Sequence, residues 1–176
     1  GIIVTASSNT ITGTGTAASA PIYVYANGVL IGSATTGTVS PFSFTAGISG
    51  HRTCDVLTAR QIVPPACLSA ASASVTVTRP AVAPTINAVN CVSSPYTVSG
   101  TSQEANGTQV RLFTTADGVT PGTTVGTVSV TSGFWQVTGL TNASGTRFIA
   151  RVLAGGCLTE SVNSNVLTVT TRTSLT

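Results

Sequence analysis

The chain has 176 residues, of which 41% are apolar and only 6% are Asp, Glu, Lys or Arg, against about a quarter in an ordinary soluble domain. Its basic residues are all arginines, scattered from Arg52 to Arg172, and the net charge is +3. Nucleic-acid binding needs a basic stripe that neutralises several phosphates, and a membrane-spanning helix needs about 18 or more apolar residues in a row. Neither is present, so no nucleic acid and no membrane span are expected as partners.

Along the chain, strand patterning dominates. Residues 2–6, 10–14, 21–25, 29–35, 41–45, 56–63 and 73–78 concentrate β-branched and aromatic residues between turn formers, and each is expected as a strand. Asn27-Gly28 between two such runs predicts a hairpin, because a type I′ turn needs positive φ at both central residues. The stretch Arg79-Pro-Ala-Val-Ala-Pro84 has two prolines and no Gly or Ser, the composition of a stiff, extended connector. Beyond it, strands are expected over 85–89, 96–101, 108–114, 123–130, 134–138, 147–153 and 165–170. Gly and Pro interrupt every stretch long enough for a helix. Alternation places Trp135 and Val137 on one face, with Phe42 and Phe44 as their counterparts in the first half, all four read as core.

The two halves repeat each other. Leu57-Thr-Ala-Arg60 returns as Phe148-Ile-Ala-Arg151, Cys67-Leu-Ser as Cys157-Leu-Thr, and Ser74-Val-Thr-Val-Thr78 as Val166-Leu-Thr-Val-Thr170. The order is kept at an offset of about 90 residues, the mark of a duplicated folding unit. In the second copy the Asn27-Gly28 turn becomes the longer Asp117-Gly-Val-Thr-Pro-Gly122. Seven short strands per copy indicate an all-β chain of two tandem immunoglobulin-like β-sandwich domains, 1–80 and 81–176, joined by a short Pro-containing linker. Running Thr168–Thr176 into a new Gly1–Thr5 would keep the internal spacing to within about three residues. The chain is therefore expected to be one period of a longer array, with neighbouring copies of the repeat, head to tail, as partners.

The four cysteines, Cys54, Cys67, Cys91 and Cys157, lack the paired spacing of a zinc site and favour disulfides in an oxidising compartment. Three pairings are open. Cys54–Cys67 with Cys91–Cys157 is the one that keeps each bridge within its own domain.

Ile11-Thr-Gly-Thr14, Asn27-Gly-Val-Leu-Ile-Gly32, Leu57-Thr-Ala-Arg60 and Cys67-Leu-Ser-Ala-Ala-Ser72 in copy one resemble bacterial immunoglobulin-like (Big-type) tandem repeats. So do Val98-Ser-Gly-Thr101, Glu104-Ala-Asn-Gly-Thr108 and Trp135-Gln-Val-Thr-Gly-Leu140 in copy two. The likeness is to the secreted surface adhesins and filaments of the Bacteroidota type. It implies a sandwich used as a stalk or adhesive repeat projecting from the cell. It also implies a Cys91–Cys157 bridge, a pattern from which copy one departs because it has no early cysteine.

Catalytic chemistry needs a nucleophile, a base and an orienting group within reach of one another. His51 with Cys54 and Asp55 is the one triad-like coincidence, and it lies in a turn-rich stretch; the expected role is a solvated loop histidine. The acids Asp55, Glu104, Asp117 and Glu160 are expected at loops and strand ends rather than in one cleft. The linker has no acid to hold calcium, and the absence of Lys removes lysine–asparagine isopeptide bonds. No cofactor, metal or catalytic residue is expected. Asn106-Gly-Thr108 and Asn142-Ala-Ser144 match the glycosylation sequon. Among polar aromatic residues, Tyr23 and Tyr25 share a strand face and form the candidate contact patch, with surface glycans or other cells as the matching partners. The expected function is a structural repeat segment of an extracellular bacterial surface fibre, stalk or adhesin. A strand-exchanging filament subunit or a carbohydrate-binding module is the alternative.

Overall fold

A computed structural model describes residues 3–6, 9–63, 65, 67–88 and 92–170, with side chains from residue 9 onward. Every strand is short and, among the described residues, there is no helix. The chain divides into two compact units, Gly1–Thr78 and Arg79–Thr176.

In unit 1 the strands are β1 (Ile3–Ala6), β2 (Thr10–Thr14), β3 (Pro21–Ala26), β4 (Val29–Thr35), β5 (Ser43–Gly47), β6 (Val56–Val63), β7 (Cys67–Leu68) and β8 (Val75–Thr76). They form a β1-β2-β5 sheet and a second sheet in which β3 lies between β4 and β6, with β7 and β8 pairing the two ends of β6. Ile11, Ile22, Val24, Phe44, Ala46, Leu57 and Ala59 fill the space between them. The β3–β4 turn has φ of 49° at Asn27 and 85° at Gly28, as a type I′ turn requires.

Unit 2 repeats the plan with β9 (Arg79–Pro80), β10 (Thr85–Ile86), β11 (Tyr96–Thr101), β12 (Gln109–Thr115), β13 (Thr124–Ser129), β14 (Phe134–Leu140), β15 (Arg147–Val152), β16 (Leu158–Thr159) and β17 (Leu167–Thr168). Its sheets run β10-β11-β14 and β13-β12-β15-β17, with β9 and β16 as a parallel pair. Trp135, Val98, Leu112, Phe148, Ala150 and Val152 are among its core residues. The duplication extends to irregularities. The register shifts between Val24 and Tyr25 in β3 and between Leu112 and Phe113 in β12.

Both units use the same hydroxyl device. Beyond β7, Ser69 Oγ accepts the Gln61 N–H at 3.0 Å and Ser72 Oγ the Ala59 N–H at 2.9 Å. In unit 2, Ser161 Oγ accepts from Val152 at 2.9 Å and Ser164 Oγ from Ala150 at 2.8 Å. The serines' own N–H groups return bonds to the carbonyls of those same four residues. Side-chain oxygens thus replace main-chain acceptors along β6 and β15. The last strand of each unit, which follows these serines, is only two residues long where six were expected.

Three expectations are corrected. The core counterparts of Trp135 and Val137 are Phe44 and Ala46, because Trp135 pairs Gly100 as Phe44 pairs Gly13; Phe42 lies outside the strand and is half-buried. Arg79–Pro84 is not an extended connector but part of unit 2. The Arg79 N–H donates to Cys157 O, the Ala81 N–H donates to Thr159 O, and Ala81 and Pro84 are buried. The expected Cys54–Cys67 bridge does not form. Cys67 is an exposed free thiol, whereas Cys54 and Cys157 are both disulfide-bonded. The reason is length. Cys54 precedes one end of β6 and Cys67 pairs Val63 at the other, some 20 Å away at about 3.3 Å per residue, beyond the roughly 7 Å Cα reach of a disulfide. Cys91, the expected partner of Cys157, lies outside the described residues.

Candidate interaction surface

Strand parity decides which side chains face solvent. On β3, Ile22, Val24 and Ala26 are buried, so Pro21, Tyr23 and Tyr25 point outward; on β6, Leu57, Ala59 and Gln61 are buried, so Thr58, Arg60 and Ile62 point outward. Register then sets the neighbours. Tyr25 lies between Leu30 and Thr58, Tyr23 between Ser33 and Arg60, and Ile62 pairs Leu68. The expected Tyr23/Tyr25 patch is therefore the centre of a larger face, in which Leu30 is 54% and Leu68 47% exposed. Cross-strand neighbours sit about 5 Å apart and next-but-one residues about 7 Å apart, so these side chains form one continuous surface around a single guanidinium.

On the equivalent face of unit 2 the apolar residues are buried. By register, Arg111 stands at the place of Tyr23, Phe113 at Tyr25, Ile149 at Thr58 and Arg151 at Arg60. Phe113 and Ile149 point away from the main core yet are 8% and 0% exposed. The inserted loop following β12 accounts for this. It reaches past β15, where Val119 O accepts from Asn163 Nδ2, and Ala116 O accepts from Arg147 Nη1 at 3.3 Å. Asp117 fixes the loop's shape by accepting the Thr120 hydroxyl and the N–H groups of Val119 and Thr120. The Thr120 hydroxyl and N–H, the Val119 N–H and the Thr115 hydroxyl hold the Asp117 carboxyl far below the ordinary range, against a small opposing effect of burial.

The two arginines differ in the same sense. Arg151 donates from Nε to Asn163 Oδ1 at 2.6 Å and lies 3.9 Å from the Glu160 carboxylate. Arg60 donates to Ser69 O at 3.4 Å and has no carboxylate in ion-pair range among the described residues. Serine register explains the gap. The residue before Ser161 is Glu160, and the residue before Ser69 is Leu68.

The other singled-out residues fall elsewhere. Tyr96 and Trp135 are 5% and 2% exposed and belong to the core, while Phe134, which periodicity alone did not single out, is 61% exposed. Phe134 borders a shallow groove of about 460 Å³ with Ser99, Ser129, Thr131 and Gln136. Cys54 is taken by its disulfide, and Asp55 accepts from Asn27 Nδ2 at 2.8 Å and the Arg52 N–H at 2.6 Å. Their neighbour His51 has a buried Nδ1 without a hydrogen-bond partner. Glu104 is buried and accepts a two-point bond from the Arg79 guanidinium, at 2.9 and 2.6 Å, plus the Val82 N–H at 2.7 Å. The Arg79 bonds hold its carboxyl below the ordinary range, the Val82 N–H adds to this, and burial opposes it. Of the two sequon asparagines, Asn106 is exposed but its Oδ1 accepts from Ser132, and Asn142 is half-buried. Among the described residues no group of three or more His, Cys, Asp or Glu could hold a metal ion, and no helix is long and apolar enough to cross a membrane.

These sheets and their register define an immunoglobulin-like sandwich. The chain is similar in structure to murine CEACAM1b, with a TM-score of 0.53 and 13% identity over 93% of this chain and 93% of that one. It is equally similar to a chain in the crystal structure of the mouse coronavirus receptor-binding domain complexed with its murine receptor, with a TM-score of 0.53 and 13% identity over 98% and 99% of the two chains. The BSP domain of a biofilm-associated protein aligns with 95% of this chain at 18% identity and a TM-score of 0.40, and this chain spans 28% of that one. No family model and no curated protein match the sequence. At these identities the likeness is one of fold.

Proposed function

We propose that the chain is a structural repeat segment of a secreted bacterial surface protein, part of a fibre, stalk or adhesin in which like units follow head to tail. The observation that carries this is the depth of the duplication. Sheet order, the register shift after Val24 and Leu112, and the paired serine braces recur in both units. The immunoglobulin-like fold supports it. So does the fixing of Arg79–Val82 onto unit 2 by a buried carboxylate, which removes slack where the chain enters that unit. Antiparallel ladders loaded along the chain must lose many backbone hydrogen bonds together, which suits a load-bearing element. Single-molecule stretching of the intact chain is expected to give two force peaks, one per unit. Smooth extension at low force rejects the mechanical role. Antibody labelling of unpermeabilised source cells is expected to be positive, and labelling only after lysis rejects the extracellular location.

A further inference from the structure

We propose that the outer face of β3, β4 and β6 in unit 1 is a docking surface for a partner polypeptide that presents a carboxylate beside an apolar side chain. This goes beyond the structural role and stands without it.

Unit 2 supplies the precedent. There the loop after β12 bonds to Arg147, an outward residue of β15, and to Asn163 beyond it, and Phe113 and Ile149 on the same face are buried although they point away from the main core. There too the outward arginine of β15, Arg151, faces a carboxylate at 3.9 Å. Unit 1 lacks both elements. The β3–β4 connection is the two-residue Asn27-Gly28 turn, too short to fold back, so Tyr23 and Tyr25 stay half-exposed. Leu68 stands where Glu160 would be, so Arg60 has no carboxylate in ion-pair range among the described residues. The outcome is a surface of Leu30, Tyr23, Tyr25, Ile62 and Leu68 around one unmatched guanidinium. Buried aromatic residues and arginine dominate binding energy at protein interfaces, whereas Lys, Glu and Asp are depleted there.

The chemistry of the face narrows the occupant. Leu30, Ile62 and Leu68 offer nothing to a hydroxyl-rich saccharide and require an apolar counterpart to displace their water. A second copy of this chain is disfavoured by its own carboxylates. It has four Asp and Glu residues, and each is engaged: Asp55 by Asn27, Glu104 by Arg79, Asp117 by Thr120, and Glu160 beside Arg151. The missing acid must come from a different polypeptide, as one Asp or Glu meeting Arg60 while a neighbouring apolar residue settles on Tyr25 and Leu30.

The test pans a random 12-residue peptide library, displayed on phage, against the intact 176-residue chain. Enriched peptides are then measured against wild type, Arg60→Gln, Arg60→Lys and Tyr25→Ala, with Thr127→Ala on the unit 2 face as control. Thermal melts establish that each variant is folded. The expected result is a set of peptides with an Asp or Glu within four residues of a Leu, Ile, Val or Phe. Their affinity should fall at least tenfold for Arg60→Gln and for Tyr25→Ala, fall less for Arg60→Lys, stay unchanged for Thr127→Ala, and weaken with added salt. Failure to enrich any peptide, or peptides indifferent to Arg60→Gln, overturns the proposal. Polygalacturonate binding in an Arg60-dependent manner without peptide binding assigns the face to an acidic saccharide and also overturns it. So does Arg60-dependent dimerisation of the chain in sedimentation velocity.

Discussion

Individual residues in this chain act through the space they leave as much as through what they contact. Gly100 is the clearest case. It pairs Trp135 across β11 and β14, and a Cβ placed on it would run into the Thr85 carbonyl and come within 2.5 Å of the Trp135 indole. Backbone on one side and a buried ring on the other leave nothing that can yield. Gly100→Ala is expected to destabilise unit 2 by about 1–3 kcal/mol, the usual cost of overpacking a closed core, measured by urea denaturation. An unchanged midpoint would show that β10 can withdraw. The sequence revealed Trp135 as core, but not the glycine beneath it, because that pairing depends on which residue of β11 faces which residue of β14. The cysteines teach the opposite lesson. The strand expected over 56–63 already lies between Cys54 and Cys67, so its length alone argued against their bridge.

Among the elements, the two-residue β9 and the inserted loop carry the most information that local pattern does not encode. β9 has two prolines nearby and no alternation, so it reads as a connector. It is held by Glu104, 25 residues away in sequence from Arg79, and no window of the sequence links the two. Because the folded-state carboxyl of Glu104 lies below its ordinary value, its contribution is present above about pH 4.3 and is lost as pH falls through the folded value. Glu104→Gln is expected to lower the stability of unit 2 by about 1–3 kcal/mol at pH 7, with the gap to wild type closing as the pH falls through the folded value. A gap that keeps its size down to acid unfolding would remove the charge from the explanation. The loop makes a separate prediction. Replacing residues 117–121 by Asn-Gly, as in copy one, uncovers Phe113 and Ile149 and is expected to cost about 2–4 kcal/mol, read from the same denaturation. The sequence showed the insertion but not its destination, since Asn163 and Val166 are brought beneath it only by the sheet.

At the scale of the molecule, the repeat was the most legible feature, and it gave the fold class and the approximate division of the chain. Long alternating strands such as β3 and β6 were readable from side-chain pattern. The short ones, β7, β9 and β16, exist because a neighbour offers hydrogen-bonding groups, so nothing in their own residues announces them. The contact face was half visible: alternation put Tyr23 and Tyr25 together, but Arg60, Leu30 and Leu68 join them only through register. Each unit encloses its own core cluster. Chemical denaturation is therefore expected to resolve two transitions, with Gly100→Ala and Glu104→Gln displacing the same one. A single transition shifted whole by either change would mean that the units unfold as one.

The serine braces have a consequence for folding fidelity. Where Ser, Ala, Val and Thr recur, as in Ser69-Ala-Ala-Ser-Ala-Ser-Val-Thr76, a strand has several near-equivalent ways to slide past its neighbour, and a slide of two residues would preserve which side chains face inward. Ser69 and Ser72, like Ser161 and Ser164, oppose that slide, because a strand displaced by two residues takes both hydroxyls away from the N–H groups of Gln61 and Ala59, or of Val152 and Ala150. A pair of hydroxyls three residues apart thus works as a vernier mark, favouring one alignment of a repetitive stretch that hydrophobicity alone would leave degenerate.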